Sequence, residues 1–172
     1  IMLLLKIQSL SYGYSGCKLD TVERLVDFFN NDVYPIVYMQ GSLGASGDLV
    51  PLAHLCLPLV GLGDVEYKGK VMTGAEMLKE NGWGPIQLGS KEGLALLNGT
   101  QNMSSFAVWA LLQGERLSKW ADKIAAMSLD AYYGLVSPFT DAVHQVRPHK
   151  GQIETAANMR QLLEGSEIIE KP

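Results

Sequence analysis

Apolar side chains recur every three or four residues through most of the chain, and the places where that rhythm breaks divide it into helices. Met2 to Leu10 reads as the end of a helix, and Ser11-Tyr12-Gly13-Tyr14-Ser15-Gly16 as a turn whose two glycines tolerate positive φ. A second helix is expected from Asp20 as N-cap, with Glu23 three residues on. Its apolar positions are Val22, Leu25, Val26 and Phe29, and Asn30-Asn31-Asp32 ends it. Pro35 to Gln40 is an extended connection into a loop with glycines at 41, 44 and 47. Beyond the loop an apolar run from Leu52 to Leu62 reads as a helix with Asp48 and Pro51 in its first turn, stopped by Gly61-Leu62-Gly63-Asp64.

The rhythm then changes. Val65 to Met72 alternates enough for a short hairpin around Lys68-Gly69-Lys70, and Thr73 caps a short helix to Glu80. Asn81 to Pro85 is a loop in which Trp83 is read as a packing plug. Ser90 is expected to cap a helix running to about Gln113, apolar on most sides through Leu94, Leu96, Leu97, Phe106, Val108, Trp109, Leu111 and Leu112. Gly114 marks a break or kink. Leu117, Trp120, Ile124, Met127 and Ala131 then repeat as the seam of a bundle or coiled coil, with Glu115, Arg116, Lys119, Asp122 and Lys123 on the opposite side. Tyr132 and Tyr133 are read as packing residues. The fold class is therefore mainly α, a bundle of long helices, with the glycine-rich loop at a helix N-terminus.

Composition narrows what such a chain can do. With 172 residues, 47% of them hydrophobic and 19% charged, it can bury one sizeable core and leaves surfaces suited to partners. A net charge of -4 gives no basic footprint, which argues against nucleic acid and against a polybasic membrane patch. Two cysteines, Cys17 and Cys56, are too few for a disulfide framework and suit a reducing compartment. The apolar run Met2 to Leu5 is interrupted by Lys6 and Gln8, so neither a membrane span nor a signal peptide is read there, and the cytoplasm is the expected location. His54, His144 and His149 have no partners at metal-ligand spacing, and no metal is expected.

The loop carries the chemistry. Between Gly44 and Gly47 only small side chains intervene, so the backbone can be crowded tightly. If the Gly47 amide nitrogen is pressed onto the Ala45 carbonyl carbon, a five-membered ring can close, and loss of two waters turns Ser46 into a methylidene group. The product is an electrophile at the positive end of a helix. The competing reading is a glycine-rich turn or an anion nest. Farther on, Asn98 and Gln101 fall at a spacing that puts both on one helical face. A buried carboxamide needs partners; Asn98 either bonds neighbouring backbone or turns its NH2 to a carboxylate or ring carbonyl.

The stretch from Gly41 to His54, Gly-Ser-Leu-Gly-Ala-Ser-Gly-Asp-Leu-Val-Pro-Leu-Ala-His, resembles the signature of the aromatic amino acid ammonia-lyases. The second block from Lys91 to Gln101, Lys-Glu-Gly-Leu-Ala-Leu-Leu-Asn-Gly-Thr-Gln, is similar to the family's other central motif and follows at the family's spacing. Arg147 to Gln152 and Leu162 to Ser166 also resemble family stretches. Gln101 after Asn-Gly-Thr looks more like the histidine-specific members than those acting on phenylalanine or tyrosine. The resemblance implies a methylidene-imidazolone formed from Ala45, Ser46 and Gly47, with no metal or diffusible cofactor. It also implies catalysis by Asn98, support from Asp48, and substrate contacts by Asn98 and Gln101. The implied reaction is elimination of ammonia from histidine to give urocanate, with a tyrosine base outside this chain and an active site completed by other subunits of a homotetramer. Phenylalanine or tyrosine lyases, aminomutases, and a non-catalytic helical module with an anion-binding loop remain the alternatives.

The same resemblance implies that residues 1–172 are one segment of the central helical domain of a longer enzyme, extending before Ile1 and beyond Glu170-Lys171-Pro172, and inactive by itself.

Overall fold

A computed structural model describes residues 1–169; the chain end at Glu170-Lys171-Pro172 lies outside the described residues. In chain order the elements are α1 (Met2–Ser11), α2 (Leu19–Asn30), β1 (Tyr34–Pro35), α3 (Leu49–Cys56), β2 (Asp64–Tyr67), β3 (Lys70–Thr73), α4 (Gly74–Glu80), α5 (Glu92–Leu97), α6 (Gln101–Ala131), α7 (Asp141–Gln145) and α8 (Lys150–Leu162). The mainly helical class expected from the sequence is the observed one. Two compact units divide the chain, one from Ile1 to Trp109 and one from Ala110 onward.

In the first unit α1 packs on α2, and one stripe of each helix is buried: Leu3, Lys6 and Leu10 on α1, Thr21, Leu25 and Phe28 on α2. The apolar members of these stripes join Val33, Leu52, Leu59, Val65 and Met77 in a single core. Phe28 takes the inward position that the periodicity gave to Phe29, which is 48% exposed. Trp83 plugs the loop as expected, stacked on Phe28 at 6.1 Å between ring centroids, with the Arg24 guanidinium 5.0 Å above it. The hairpin is also where the alternation puts it. β2 pairs antiparallel with both β1 and β3, Val65 and Tyr67 point inward, and Lys68 (φ 52°) and Gly69 (φ 73°) make the left-handed two-residue turn that matches strand twist. Thr73 caps α4 in a reciprocal capping box with Glu76.

Several boundaries differ from expectation. α2 begins after Lys18, not Asp20, and its N-cap makes no side-chain bond of its own. α3 ends at Cys56 and tightens into a 3-10 turn over Leu57–Val60, where Pro58 cannot continue the α pattern and Gly61 closes in the left-handed region. Lys91, at φ 67°, rather than Ser90, precedes α5. The long helix expected from Ser90 to Gln113 is two helices: Asn98 leaves α5 with ψ 143°, and Gly99 sits at φ 133°. Gly114, read as a break or kink, does not break the helix: it lies inside α6, at a cost in helix propensity.

In the second unit Ala126, Met159 and Leu163 form a small core with Leu129, Val136 and Phe139 around it. Asp122 accepts from Asn158 at 3.1 Å, and Ser166 donates to Asp130, tying α8 and its C-terminal turn to α6. His144 lies within α7. Pro138 O lies 3.0 Å from its Nε2 and the Gln152 amide 2.8 Å from its Nδ1, so both ring nitrogens serve the fold. Leu117, Trp120, Ile124 and Met127 share one side of α6 as their spacing requires, yet all are more than half exposed. Tyr132 and Tyr133, expected to pack, are exposed where α6 ends, with Tyr133 at φ 54°.

Candidate active site

The glycine-rich loop leaves β1 and returns into α3, and its base is closed from both sides. Tyr38, before the loop, meets the His54 ring on α3 edge-on at 5.1 Å between centroids. Gly41 lies so close to α3 that a Cβ there would sit 2.8 Å from Val50 Cγ1. At the tip, Gly44 and Gly47 form an antiparallel bridge with Ala45 and Ser46 between them. Ser46 occupies the left-handed region at φ 57°, flanked by Gly44 at 82° and Gly47 at 87°. A non-glycine residue in that region is strained and persists only where its surroundings over-determine it.

Those surroundings come from the second motif. Gly47 bridges in parallel to Gly99, and a Cβ on Gly47 would lie 2.2 Å from the Gly99 carbonyl oxygen. The same oxygen accepts the Asp48 amide at 2.9 Å. Asp48 is 0% exposed; one carboxylate oxygen accepts the Ser42 hydroxyl at 3.1 Å and the other the Met103 amide at 3.0 Å. A single residue thus begins α3 with its backbone and caps the first turn of α6 with its side chain. Two helix N-termini, each carrying partial positive charge, meet beneath the Ala45-Ser46-Gly47 turn.

Ala45, Ser46, Gly47, Asp48 and Asn98 therefore belong to one constellation. Its arrangement differs from the expected one in two respects. Asn98 and Gln101 do not share a helical face, because residues 98–100 are the bend between α5 and α6 that lets Gly99 reach Gly47. Asn98 also donates through Nδ2 to Leu94 O at 2.9 Å, the neighbouring-backbone bond of the plainer reading, which occupies one of its two amide protons. The Gln101 side chain folds back over Gly99, leaving no room for a Cβ there, and its Oε1 is buried without a partner among the described residues.

Two charged residues went unrecognised in the sequence. Lys6, only 1% exposed, donates from Nζ to Ala95 O and to Asn98 O, both at 2.8 Å. Its signal was available: Leu3, Lys6 and Leu10 lie on the buried stripe of α1. Burial pushes its ammonium pKa down. Glu92, also 1% exposed, accepts from the Lys18 amide at 2.8 Å, the Thr21 hydroxyl at 2.9 Å, the Cys17 thiol at 3.6 Å and the Gly89 amide. It supplies the N-terminal cap that α2 lacks in its own sequence. Burial opposes its ionisation, but the hydrogen bonds from Gly89, Lys18, Thr21 and Cys17 outweigh burial and hold the carboxyl at about 2. Cys56, beneath α5, has its thiol pushed up to about 12 by burial and is an inert packing group.

No group of three or more metal-ligating side chains occurs among the described residues, and no helix there is long and apolar enough to cross a membrane.

Comparison with known proteins shows what the chain resembles. The chain is similar to histidine ammonia-lyase of Deinococcus radiodurans, with 52% identity over 167 residues covering 97% of this chain and 32% of that protein. Its fold matches the crystal structure of histidine ammonia-lyase from Trypanosoma cruzi with TM-score 0.87 and 38% identity, over 92% of this chain and 31% of that one. It matches phenylalanine ammonia-lyase of Rhodosporidium toruloides equally well, with TM-score 0.91 and 35% identity over 97% and 26%. The chain spans about a third of the length of the curated relatives it matches. The model of the family described as aromatic amino acid lyase matches residues 1–172 from end to end, so both motifs that meet at the loop fall within it, and the chain belongs to that family.

Proposed function

We propose that this chain supplies the electrophile loop and part of the substrate-binding floor of a histidine ammonia-lyase, a carbon-nitrogen lyase that eliminates ammonia from L-histidine to leave urocanate. The observation that carries the reading is the Gly47–Gly99 contact, which joins the two motifs into one site. The residues fit the group they would form: Gly47 has no space for a side chain, Ser46 is held at positive φ, and Asp48 fixes the loop on two helix N-termini. Closure of Gly47 N on the Ala45 carbonyl carbon, with loss of two waters including the Ser46 hydroxyl, gives a methylidene-imidazolone that supplies an electron sink for the substrate amine.

The remaining roles belong to side chains. The second amide proton of Asn98 is free for the substrate carboxylate, which orients the amino acid over the loop. Gln101 Oε1, unpaired beside Gly99, is an acceptor for a substrate N–H, a donor that the ring of histidine has and that of phenylalanine lacks. Asp48 holds the turn in shape for closure. The β-proton is taken by a base outside this chain, in a site shared between subunits of a cytoplasmic homotetramer. Identity supports histidine, since the histidine ammonia-lyases of Deinococcus radiodurans and Desulfotalea psychrophila are 52% and 51% identical to this chain.

Two measurements on the complete protein that carries this chain test the reading. Its intact mass is expected to be lower than its sequence mass by two waters, and Ser46→Ala is expected to restore the full mass and stop formation of urocanate. A full mass in the unsubstituted protein, or undiminished turnover by Ser46→Ala, overturns the ring. Release of cinnamate in place of urocanate reassigns the substrate.

A further inference from the structure

We propose that Lys6 is a positioning residue for this reaction: from the buried stripe of α1 it clamps the end of α5 and sets the path by which Asn98 leaves the helix. The proposal rests on the functional reading above and extends it to a residue far from the loop in sequence.

An ammonium taken out of water is strongly disfavoured unless its protons find acceptors. Leu3 and Leu10, its neighbours on the stripe, are aliphatic, and a leucine at position 6 would meet the packing demand alone. Lys6 instead places two 2.8 Å bonds on Ala95 O and Asn98 O. Both carbonyls belong to the C-terminal end of α5, where the helix leaves its last carbonyls without intrahelical partners and carries partial negative charge. The clamp acts where the chain turns from helix to ψ 143° at Asn98 and φ 133° at Gly99. One residue later the Gly99 carbonyl takes the Asp48 amide at 2.9 Å. An unbroken series of bonds therefore runs from Lys6, through the Asn98–Gly99 backbone, to the loop.

At its other end α5 is held by Glu92, which binds Lys18, Thr21 and Gly89. A six-residue helix is too short to hold its own direction in water. Fastened at both ends by buried charges, α5 becomes a strut that presents Asn98. The loop keeps two anchors that do not pass through the clamped segment, the Ser42 hydroxyl and the Met103 amide on Asp48, and neither is bonded to Lys6. Loss of the clamp should therefore misplace Asn98 while leaving the loop able to close.

The test uses the complete protein with Lys6→Met, which keeps length and removes the donors, and Lys6→Arg, which keeps them. Three readouts are taken: intact mass, kcat and KM separately, and amide hydrogen exchange over residues 98–101. Lys6→Met is expected to keep the two-water mass deficit, to lose roughly 10- to 100-fold in kcat, as small misplacements of a site residue do, and to exchange faster over 98–101. Lys6→Arg is expected to restore both kcat and protection. Wild-type kcat in Lys6→Met overturns the proposal, and so does a fall in kcat with exchange over 98–101 unchanged. If Lys6→Met does not fold, Lys6→Arg decides: protected 98–101 amides with kcat near wild type support the clamp, and loss of either refutes it. A missing mass deficit in the unsubstituted protein would defeat the ring reading instead, and the exchange experiment would still report on the clamp.

Discussion

Replacing Glu92 by Gln tests whether a carboxylate, and not merely a polar group of that shape, fastens α5 to α2. The side chain has room for one arrangement. If the new amide oxygen keeps the Lys18 amide, the Thr21 hydroxyl and the Cys17 thiol, its NH2 must face the Gly89 amide, and a donor then meets a donor. The Lys18 ammonium, 3.6 Å from the carboxylate oxygen that takes the Gly89 amide, loses its counter-charge. Loss of one hydrogen bond to a charged acceptor costs about 1.5–3 kcal/mol and an unsatisfied buried N–H a further 1–3, so the local structure should weaken by about 2.5–6 kcal/mol. Hydrogen exchange on the complete protein reads this directly: amides at Lys18 and Gly89 and through the first turn of α2 should exchange at least roughly 30-fold faster. The difference should also depend on pH in a defined sense. Because the folded-state pKa is depressed to about 2, the carboxylate's contribution is fully present above the unfolded value of about 4.3 and disappears as pH falls through about 2. Wild type and Glu92→Gln should therefore differ constantly above about pH 5 and converge below it. Equal exchange in the two proteins at neutral pH, or a gap that widens on acidification, would refute the assignment.

Two further substitutions probe the site and the scaffold separately. Gly47→Ala puts a Cβ 2.2 Å from the Gly99 carbonyl oxygen at a φ of 87°, so the bridge between the motifs should open; the protein is expected to retain its full sequence mass and to release no urocanate. Thr73→Ala removes half of the capping box on α4 and is expected to cost about 1 kcal/mol, read as a lower urea midpoint with an unchanged slope and unchanged kcat.

What the sequence made legible was local. Thr73 capping α4, the Lys68-Gly69 turn and the bent loop from Gly41 to Gly47 are each decided by residues within a few positions of one another, and each is found where the pattern puts it. The resemblance carried by the two motifs added the residues of the loop. Long-range contacts were not legible. The apolar run on both sides of Asn98 reads as one helix because periodicity cannot see that Gly99 must approach Gly47, some fifty positions earlier. Asp20 looks like the cap of α2 because a cap supplied by Glu92 has no local signature. Lys6 reads as an interruption in an apolar run, although its place on the buried stripe marks it as a cation with a destination.

These misreadings have a common cause, which also bears on how the loop can be reactive. A turn that holds Ser46 at positive φ stores strain, and strain persists only when more constraints act on the loop than it needs to keep its shape. No neighbour in the sequence can supply them, because Gly44, Ala45 and Gly47 have almost no side chain with which to act. Apart from the Ser42 hydroxyl on Asp48, the constraints therefore come from outside the loop: Gly99 and Met103 through Asp48, and His54 against Tyr38 at the loop's base. The smallness that permits ring closure is the same property that leaves the loop unable to enforce it. A chain using this chemistry must place the compressing groups elsewhere and bury the charge that anchors them, as Asp48 is buried here.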